Sequence, residues 1–259
     1  MSYHKRATCR LCDSTSLSPA LHYPPQPLAD EYLREQKPQQ SYPLDLYLCR
    51  SCGHVQLLDV VDPQALFGDY IYSTSISLGL VEHFRRYADE LLQRFPVSSA
   101  ALAIDIGSND GSLLRFLRDR GLRVLGFDPA VSIADQATKA GVETVPAFFT
   151  SNLARRIRRE RGPAAFVTAN NVFAHSDGLP DMADGVRELL SPDGVFVFEV
   201  SYLVDIVEKL LFDTVYHEHL CYHSVRPLES FFSRHGLELF DVTRLPGKGG
   251  SIRGFVQRS

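Results

Sequence analysis

Apolar positions along this chain fall into two alternating kinds. Short continuous runs appear at Ala100–Ile106, Arg123–Phe127, Val142–Val145, Ala164–Ala169 and Gly194–Val200. A run with no polar alternation is how a strand covered on both faces reads, so these predict a buried parallel sheet. Between them, apolar residues recur at helical spacing. Phe84, Tyr87, Ala88, Leu91, Leu92 and Phe95 predict a helix over Glu82–Phe95, closed by Pro96; Leu113, Leu114, Phe116 and Leu117 predict another, closed by Gly121. Further helices are expected over Asn152–Arg161, Met182–Leu190 and Leu228–His235, with later strands near Leu237–Arg244 and Ser251–Val256. Strands alternating with helices predict a doubly wound α/β sheet of Rossmann-like type.

The first 68 residues break this rhythm. Prolines at 24, 25, 27 and 38 exclude a long helix. Only short strands near Leu44–Leu48 and Val55–Leu58 are expected, too few to build a core. What that segment has instead is two cysteine pairs, Cys9-x-x-Cys12 and Cys49-x-x-Cys52. Two intervening residues let a tight turn aim both sulfurs at one ion, and two such turns close a tetrahedral thiolate set, the pattern of structural zinc. A segment with so little core suits a module that metal holds folded. The expected organisation is a zinc module over 1–68 and an α/β domain over 69–259. Cys221 stands alone and is expected in the core.

Composition narrows the function. The chain has 259 residues, 44% hydrophobic and 22% charged, with net charge −4 and pI about 6.1. That is an ordinary globular balance and excludes a strongly basic nucleic-acid domain. The basic run Arg155–Arg161 lies in a helical pattern and is expected to be a solvated face. No apolar run approaches a membrane span, and Met1–Cys12 holds no apolar signal region. A cytoplasmic protein is expected, in which structural disulfides are disfavoured.

The chemistry sits after the first long strand. Asp105-Ile-Gly107-Ser-Asn109-Asp110-Gly111 joins strand to helix, and the next strand ends in Asp128, 23 residues after Asp105. Glycines there let backbone approach a ligand, and an acid at that offset meets a ribose diol. The turn is not G-x-G-x-x-G, which weakens a nicotinamide reading. Asn170 and Asn171 end another buried strand, where ligands gather in such sheets. His217-Glu218 lacks the later histidine of a zincin helix, since position 221 is cysteine.

These strings, with Phe127-Asp128-Pro129-Ala130, Ala169–His175, Tyr70–Ser75, the cysteine pairs and above all Phe212-Asp-Thr-Val-Tyr216-His217-Glu218-His219-Leu220, resemble the nucleotide-sugar C-methyltransferases. The resemblance covers nearly the whole chain. It implies an S-adenosylmethionine (SAM) dependent enzyme of Rossmann-like class I fold that methylates a carbon beside the keto group of a TDP-4-keto-deoxysugar, in making branched sugars of antibiotics and surface glycans. It implies that Asp105, Gly107, Asn109, Asp110 and Gly111 surround the methionine part of SAM. It also implies that Asp128 accepts the ribose hydroxyls, that Phe148 or Phe149 flanks adenine, and that Asn170 lies at the cofactor. His219 becomes the candidate base, with Tyr216, Glu218, Tyr70, Tyr72 and Asn171 positioning it or the sugar. Family members continue into a further C-terminal α/β domain, whose start would fall at about 245–259. Many also have histidine where this chain has Lys248. Two other readings stay open: an O- or N-methyltransferase, which needs no enolising base, and a non-catalytic SAM-binding or zinc scaffold.

Overall fold

The computed structural model describes residues 3–29, 33–68 and 73–259. In chain order the elements are β1 (Tyr3–Lys5), β2 (Leu17–Leu21), β3 (Leu46–Cys49), β4 (Val55–Leu57), β5 (Asp59–Val61), α1 (Pro63–Phe67), α2 (Leu78–Arg94), β6 (Leu102–Ile106), α3 (Ser112–Arg118), β7 (Arg123–Phe127), α4 (Val131–Lys139), β8 (Thr144–Val145), α5 (Ser151–Arg161), β9 (Ala164–Asn170), α6 (Leu179–Leu189), β10 (Leu190–Ser201), α7 (Leu203–Glu208), β11 (Cys221–Tyr222), α8 (Val225–Arg234), β12 (Leu237–Leu245) and β13 (Ser251–Arg258).

Seven strands form the central sheet in the order β12-β13-β10-β9-β6-β7-β8. β6 to β10 are parallel, as the apolar runs predict, and every residue of β6 is buried. The last two strands depart from the parallel expectation. β13 runs antiparallel to β10, and β12 antiparallel to β13. They are joined by a hairpin through 246–250, and a hairpin can only reverse direction. Successive strands step outward from β6 through β7 to β8 on one side, and from β9 to β10 on the other. The order therefore reverses between β6 and β9, and ligands of open α/β sheets bind at the carboxyl ends of strands at such a point.

Helix α2 starts where Ser77 accepts from Leu80 N and ends beside Phe95. Its Phe84, Tyr87, Ala88 and Leu91 pack on Leu113, Leu114 and Leu117 of α3, as their spacing predicts. Helix α5 buries Ala154 and Ile157 and leaves Arg155, Arg156 and Arg159 exposed, so the basic run is a solvated face. Helices α4 and α7 were not legible in the pattern. α4 buries only Ile133, Ala134 and Ala137, and α7 only Asp205 and Ile206.

The N-terminal segment builds its own sheet, with order β11-β4-β3-β2. One of its four strands, β11, comes from residues 221–222, far along the chain. Cys9, Leu11, Leu44, Leu46, Leu57 and Val60 join the same buried cluster as Ile104 and Phe198 of the central sheet and Phe173 of the loop after β9. The two parts therefore share a core.

Candidate active site

The four cysteines converge. Their sulfurs all lie within 4.8 Å of one another, with Cys9 to Cys52 at 3.6 Å and Cys12 to Cys49 at 3.5 Å. Zinc bonded at about 2.3 Å to four tetrahedral thiolates holds the sulfurs roughly 3.8 Å apart, so the set fits that ion. Both pairs use the same turn. The residue after the second cysteine is left-handed in each, Asp13 at φ 57° and Gly53 at φ 82°. Backbone N–H groups of Leu11 and Cys12 point at the Cys9 sulfur, that of Ser14 at Cys12 and that of His54 at Cys52. The Cys52 thiol donates to Cys9 and lowers its pKa to about 5, while Cys52 itself is pushed up by the same contact. Burial raises Cys12 to about 11. Four thiolates together thus require a cation among them. Cys221 is buried apart, and burial raises its pKa to about 12.

A cavity of about 330 Å³ opens at the carboxyl ends of β6, β7 and β9. Its lining includes Asp105, Gly107, Asn109, Asp128, Phe148, Phe149, Asn170, Asn171, Tyr216, Glu218 and His219 of the sequence-derived site. Gly107 has φ 68°, and a Cβ there would lie 2.3 Å from Val172, so only glycine lets the two loops meet. The Asp128 carboxylate accepts from Asn109 N and Ala130 N, both at 2.9 Å, which fixes it at the lip of β7. Asp105 accepts from Thr168 Oγ1 at 2.6 Å and Asn170 Nδ2 at 3.5 Å, and burial raises its pKa to about 7. Asn170 Oδ1 and Ser108 Oγ are buried without a partner among the described residues. Phe149 packs on Phe127 at 5.5 Å, whereas Phe148 stays 40% exposed at the rim.

Asp110 and Gly111 lie behind this lining. Asp110 accepts from Ser73 Oγ and Ser75 N, both at 2.8 Å, and from Ser112, stapling the 73–76 turn to the start of α3. Gly111 begins α3 at φ 73°. Tyr70 and Tyr72 lie outside the described residues.

At the other end of the cavity stands the Tyr216–His219 pair. His219 Nδ1 is 2.8 Å from the Thr214 carbonyl, which can only accept, so Nδ1 carries the proton. Nε2 is then the acceptor for the Tyr216 hydroxyl at 2.8 Å. Burial lowers the His219 pKa to about 4. His175 stands beside it, rings 5.1 Å apart and tilted, stacked on Phe67 at 5.6 Å. Burial pushes it well below the ordinary range, and its Nε2 is unpartnered among the described residues. Neither His175 nor Lys248, which also lines the cavity, was among the site residues expected. His175 closes the quoted string Ala169–His175, and that position, one turn beyond Asn171, was the available signal.

His217 turns away, its Nε2 at 3.3 Å from the Tyr42 carbonyl in the N-terminal segment. The 212–220 string is further tied down by β11, whose Cys221 and Tyr222 pair with Gln56 and Val55 of β4. Arg10, fully buried between Cys9 and Cys12, donates to the Leu57 carbonyl, to Gln56 Oε1 at 3.1 Å and to Asp177 Oδ1 at 2.8 Å. Asp177 lines the cavity.

Among the described residues no helix is long and apolar enough to cross a membrane. A family model described as "Putative zinc binding domain" matches residues 9–67, and one described as "Methyltransferase domain" matches residues 80–242. The chain is 36% identical to the C-methyltransferase NovU of Streptomyces niveus over 94% of its own length and 59% of NovU's. It is 27% identical to a malonyl-[acyl-carrier protein] O-methyltransferase of Enterobacter lignolyticus over 44% of each. The chain thus spans about half the length of these relatives. Among solved structures, magnesium protoporphyrin IX methyltransferase of Synechocystis with bound S-adenosylhomocysteine (SAH) superposes with TM-score 0.54 at 12% identity, covering 76% of this chain and 92% of that one. The CcbJ methyltransferase of Streptomyces caelestis gives 0.52 at 17%, covering 68% and 89%. The fold is that of SAM-dependent methyltransferases, and the chain belongs to the methyltransferase domain family, with a four-cysteine zinc-binding domain ahead of its catalytic sheet.

Proposed function

We propose that this chain is a SAM-dependent C-methyltransferase acting on the carbon beside the keto group of a TDP-linked 4-keto-deoxysugar. The observation that carries the reading is the Tyr216–His219 pair. It is a half-buried, neutral acid–base couple in the same cavity as the Asp128 carboxylate. A hydroxyl or amine is already nucleophilic through its lone pair, whereas a carbon beside a carbonyl becomes nucleophilic only once its proton has been removed, so transfer to carbon depends on such a couple. The motif resemblance and the printed activity of NovU, a C-methyltransferase, support the same choice.

Asp128 would hold the ribose diol, Phe148 would cover the adenine, and Asn170 with Asp105 would meet the amino-acid end. Bound SAM supplies an electrophilic methyl group. The protein supplies the nucleophile. Thr214 O fixes His219 in the tautomer whose Nε2 is basic. As the phenol oxygen of Tyr216 takes the proton from the sugar carbon, it passes its own to Nε2, so the couple gains one proton, carried as the His219 imidazolium, and the substrate becomes an enolate. Asn171, with φ 57° at the end of β9, and Glu218 face the same space and orient the sugar. Tyr70 and Tyr72 are assigned the same task by the resemblance.

The test is turnover of a TDP-4-keto-6-deoxyhexose with SAM, read by mass and by NMR of the product. A product carrying one new C–CH3 group beside the carbonyl is expected, and His219→Gln should abolish it while SAH still binds. A methyl on oxygen, or an unimpaired His219→Gln, would overturn the reading.

A further inference from the structure

The turn joining β12 to β13 holds a lysine in an unusual backbone state. Lys248 has φ 52° and ψ 41°. Outside glycine, asparagine and aspartate that left-handed region is sterically disfavoured. Residues persist there only where the surroundings over-determine them, and they cluster at functional sites.

The surroundings of this turn are over-determined. Gly250 N donates to Gly247 O at 2.9 Å, Ser251 Oγ to Gly247 O at 3.0 Å and Tyr202 N to Gly250 O at 3.1 Å. The Lys209 ammonium donates to Gly249 O at 2.5 Å. Gly250 packs so closely on Asp205 that a Cβ would lie 2.2 Å from its carboxyl carbon. Asp205 is itself pinned by Arg244 at 2.7 and 2.9 Å and by Lys209 at 2.8 Å. All this fixes the backbone of a turn from which Lys248, exposed at the surface, lines the cavity within electrostatic reach of His219 and His175.

Asp105, Asp128 and Glu218 line the cavity together with Asp177, which Arg10 and Arg6 already pair, and Lys248 is the one lysine or arginine in that lining among the described residues. No hydrogen bond or salt bridge is formed by its ammonium within the described residues. Both neighbouring histidines are held neutral, chiefly by burial and in part by the lysine's own charge.

Enolisation moves the C–H electron pair into a C=C bond and leaves the negative charge on the former carbonyl oxygen. That oxygen is where a preorganised cation acts most strongly. We infer that Lys248 is a catalytic residue whose ammonium pairs with the enolate oxygen while the Tyr216–His219 couple holds the abstracted proton. When the enolate carbon gains its methyl, the oxygen returns to a carbonyl, the sulfonium departs as the thioether SAH, and the lysine keeps its proton throughout. This assignment rests on the enolate reading given above.

The two are separated by following deuterium uptake beside the ketone of a TDP-4-keto-6-deoxyhexose in D2O, with SAH in place of SAM so that no methyl transfer intervenes. The wild-type chain should exchange above the buffer rate. Lys248→Met should slow exchange by on the order of 10²-fold, the usual effect of removing one oxyanion partner, with SAH affinity unchanged. Lys248→Arg should retain most of the rate, and added methylamine should restore part of it to Lys248→Ala. Wild-type exchange in Lys248→Met, or loss of SAH affinity in that variant, would overturn the lysine assignment alone. No exchange by the wild-type chain would overturn the enolate reading and this inference together.

Discussion

Asp128 is held by two backbone donors, so its substitution acts twice. Asp128→Ala leaves the amides of Asn109 and Ala130 unpaired and removes the acceptor proposed for the ribose. Each lost buried bond costs about 1–3 kcal/mol. Calorimetric titration with SAH should show affinity at least ~10-fold weaker, since 1.4 kcal/mol is tenfold, with zinc content retained. Undiminished binding would remove Asp128 from the cofactor site. His219 makes a prediction in pH. Its folded pKa is about 4, and the neutral ring is the form that accepts a proton. The acid limb of kcat/KM should therefore fall near pH 4 rather than near the ordinary histidine value of 6.5. A limb at 6.5 would mean that another group is the base. Asp128 was legible because an acid ending the second strand is a local pattern. The setting of His219 was not, because its pKa is set by burial among residues distant in sequence.

At the level of elements, the Tyr216–His219 string is anchored from both sides. β11 extends the sheet of the cysteine module, with Leu57 N donating to Leu220 O at 3.0 Å, and Cys221 N donates to Ala174 O at 3.0 Å in the loop after β9. Arg10 links that module to the same loop through Asp177. Arg10→Met keeps most of the side-chain volume but leaves Leu57 O and Gln56 Oε1 without this donor and Asp177 with Arg6 as its remaining arginine partner. Removing one partner of a buried charged network costs roughly 2–5 kcal/mol. Urea unfolding should show a loss of that size at unchanged zinc content, whereas a change within ~0.5 kcal/mol would mean that this buried network adds nothing net to stability. Proline density and short strands showed that the N-terminal segment stands outside the α/β alternation. They gave no hint that its fourth strand comes from residue 221, since two residues of strand carry no periodicity.

For the whole molecule, metal and pH are the two levers. With a core shared between module and sheet, chelation should disturb more than residues 1–68. A strong zinc chelator is expected to lower Tm and to weaken SAH binding in the same titration, because folding of such modules is tied to the metal. Loss of zinc with Tm unchanged would contradict this. On pH, His219 and His223 are each lowered by burial to about 4 from 6.5. The unfolded chain therefore binds their protons first as pH falls. Their stabilisation is complete above about 6.5 and is lost toward pH 4, about 3 kcal/mol apiece. His54 and His175 are lowered in the same direction. Asp105 opposes them: raised to about 7 from 3.8, it takes up a proton in the folded state first and offsets about 4 kcal/mol over that range. The sum is a Tm that falls between pH 6.5 and 4, and His223→Phe should flatten that slope.

The sequence by itself determined what adjacent residues can encode. Two C-x-x-C turns, a buried strand leading through glycine into a helix, and an acid at the end of the next strand each need only a short segment, and each implies its chemistry from spacing alone. The tertiary structure decided what depends on distant segments meeting. It reversed β12 and β13 against an otherwise parallel sheet, because a five-residue turn cannot carry a parallel crossover. It brought His175 against His219 and Lys248 into the same wall, and it turned Asp110 toward Ser73 and Ser75 behind that wall. Loop direction and burial arise only when the chain closes on itself, so no periodicity in the residues announces them.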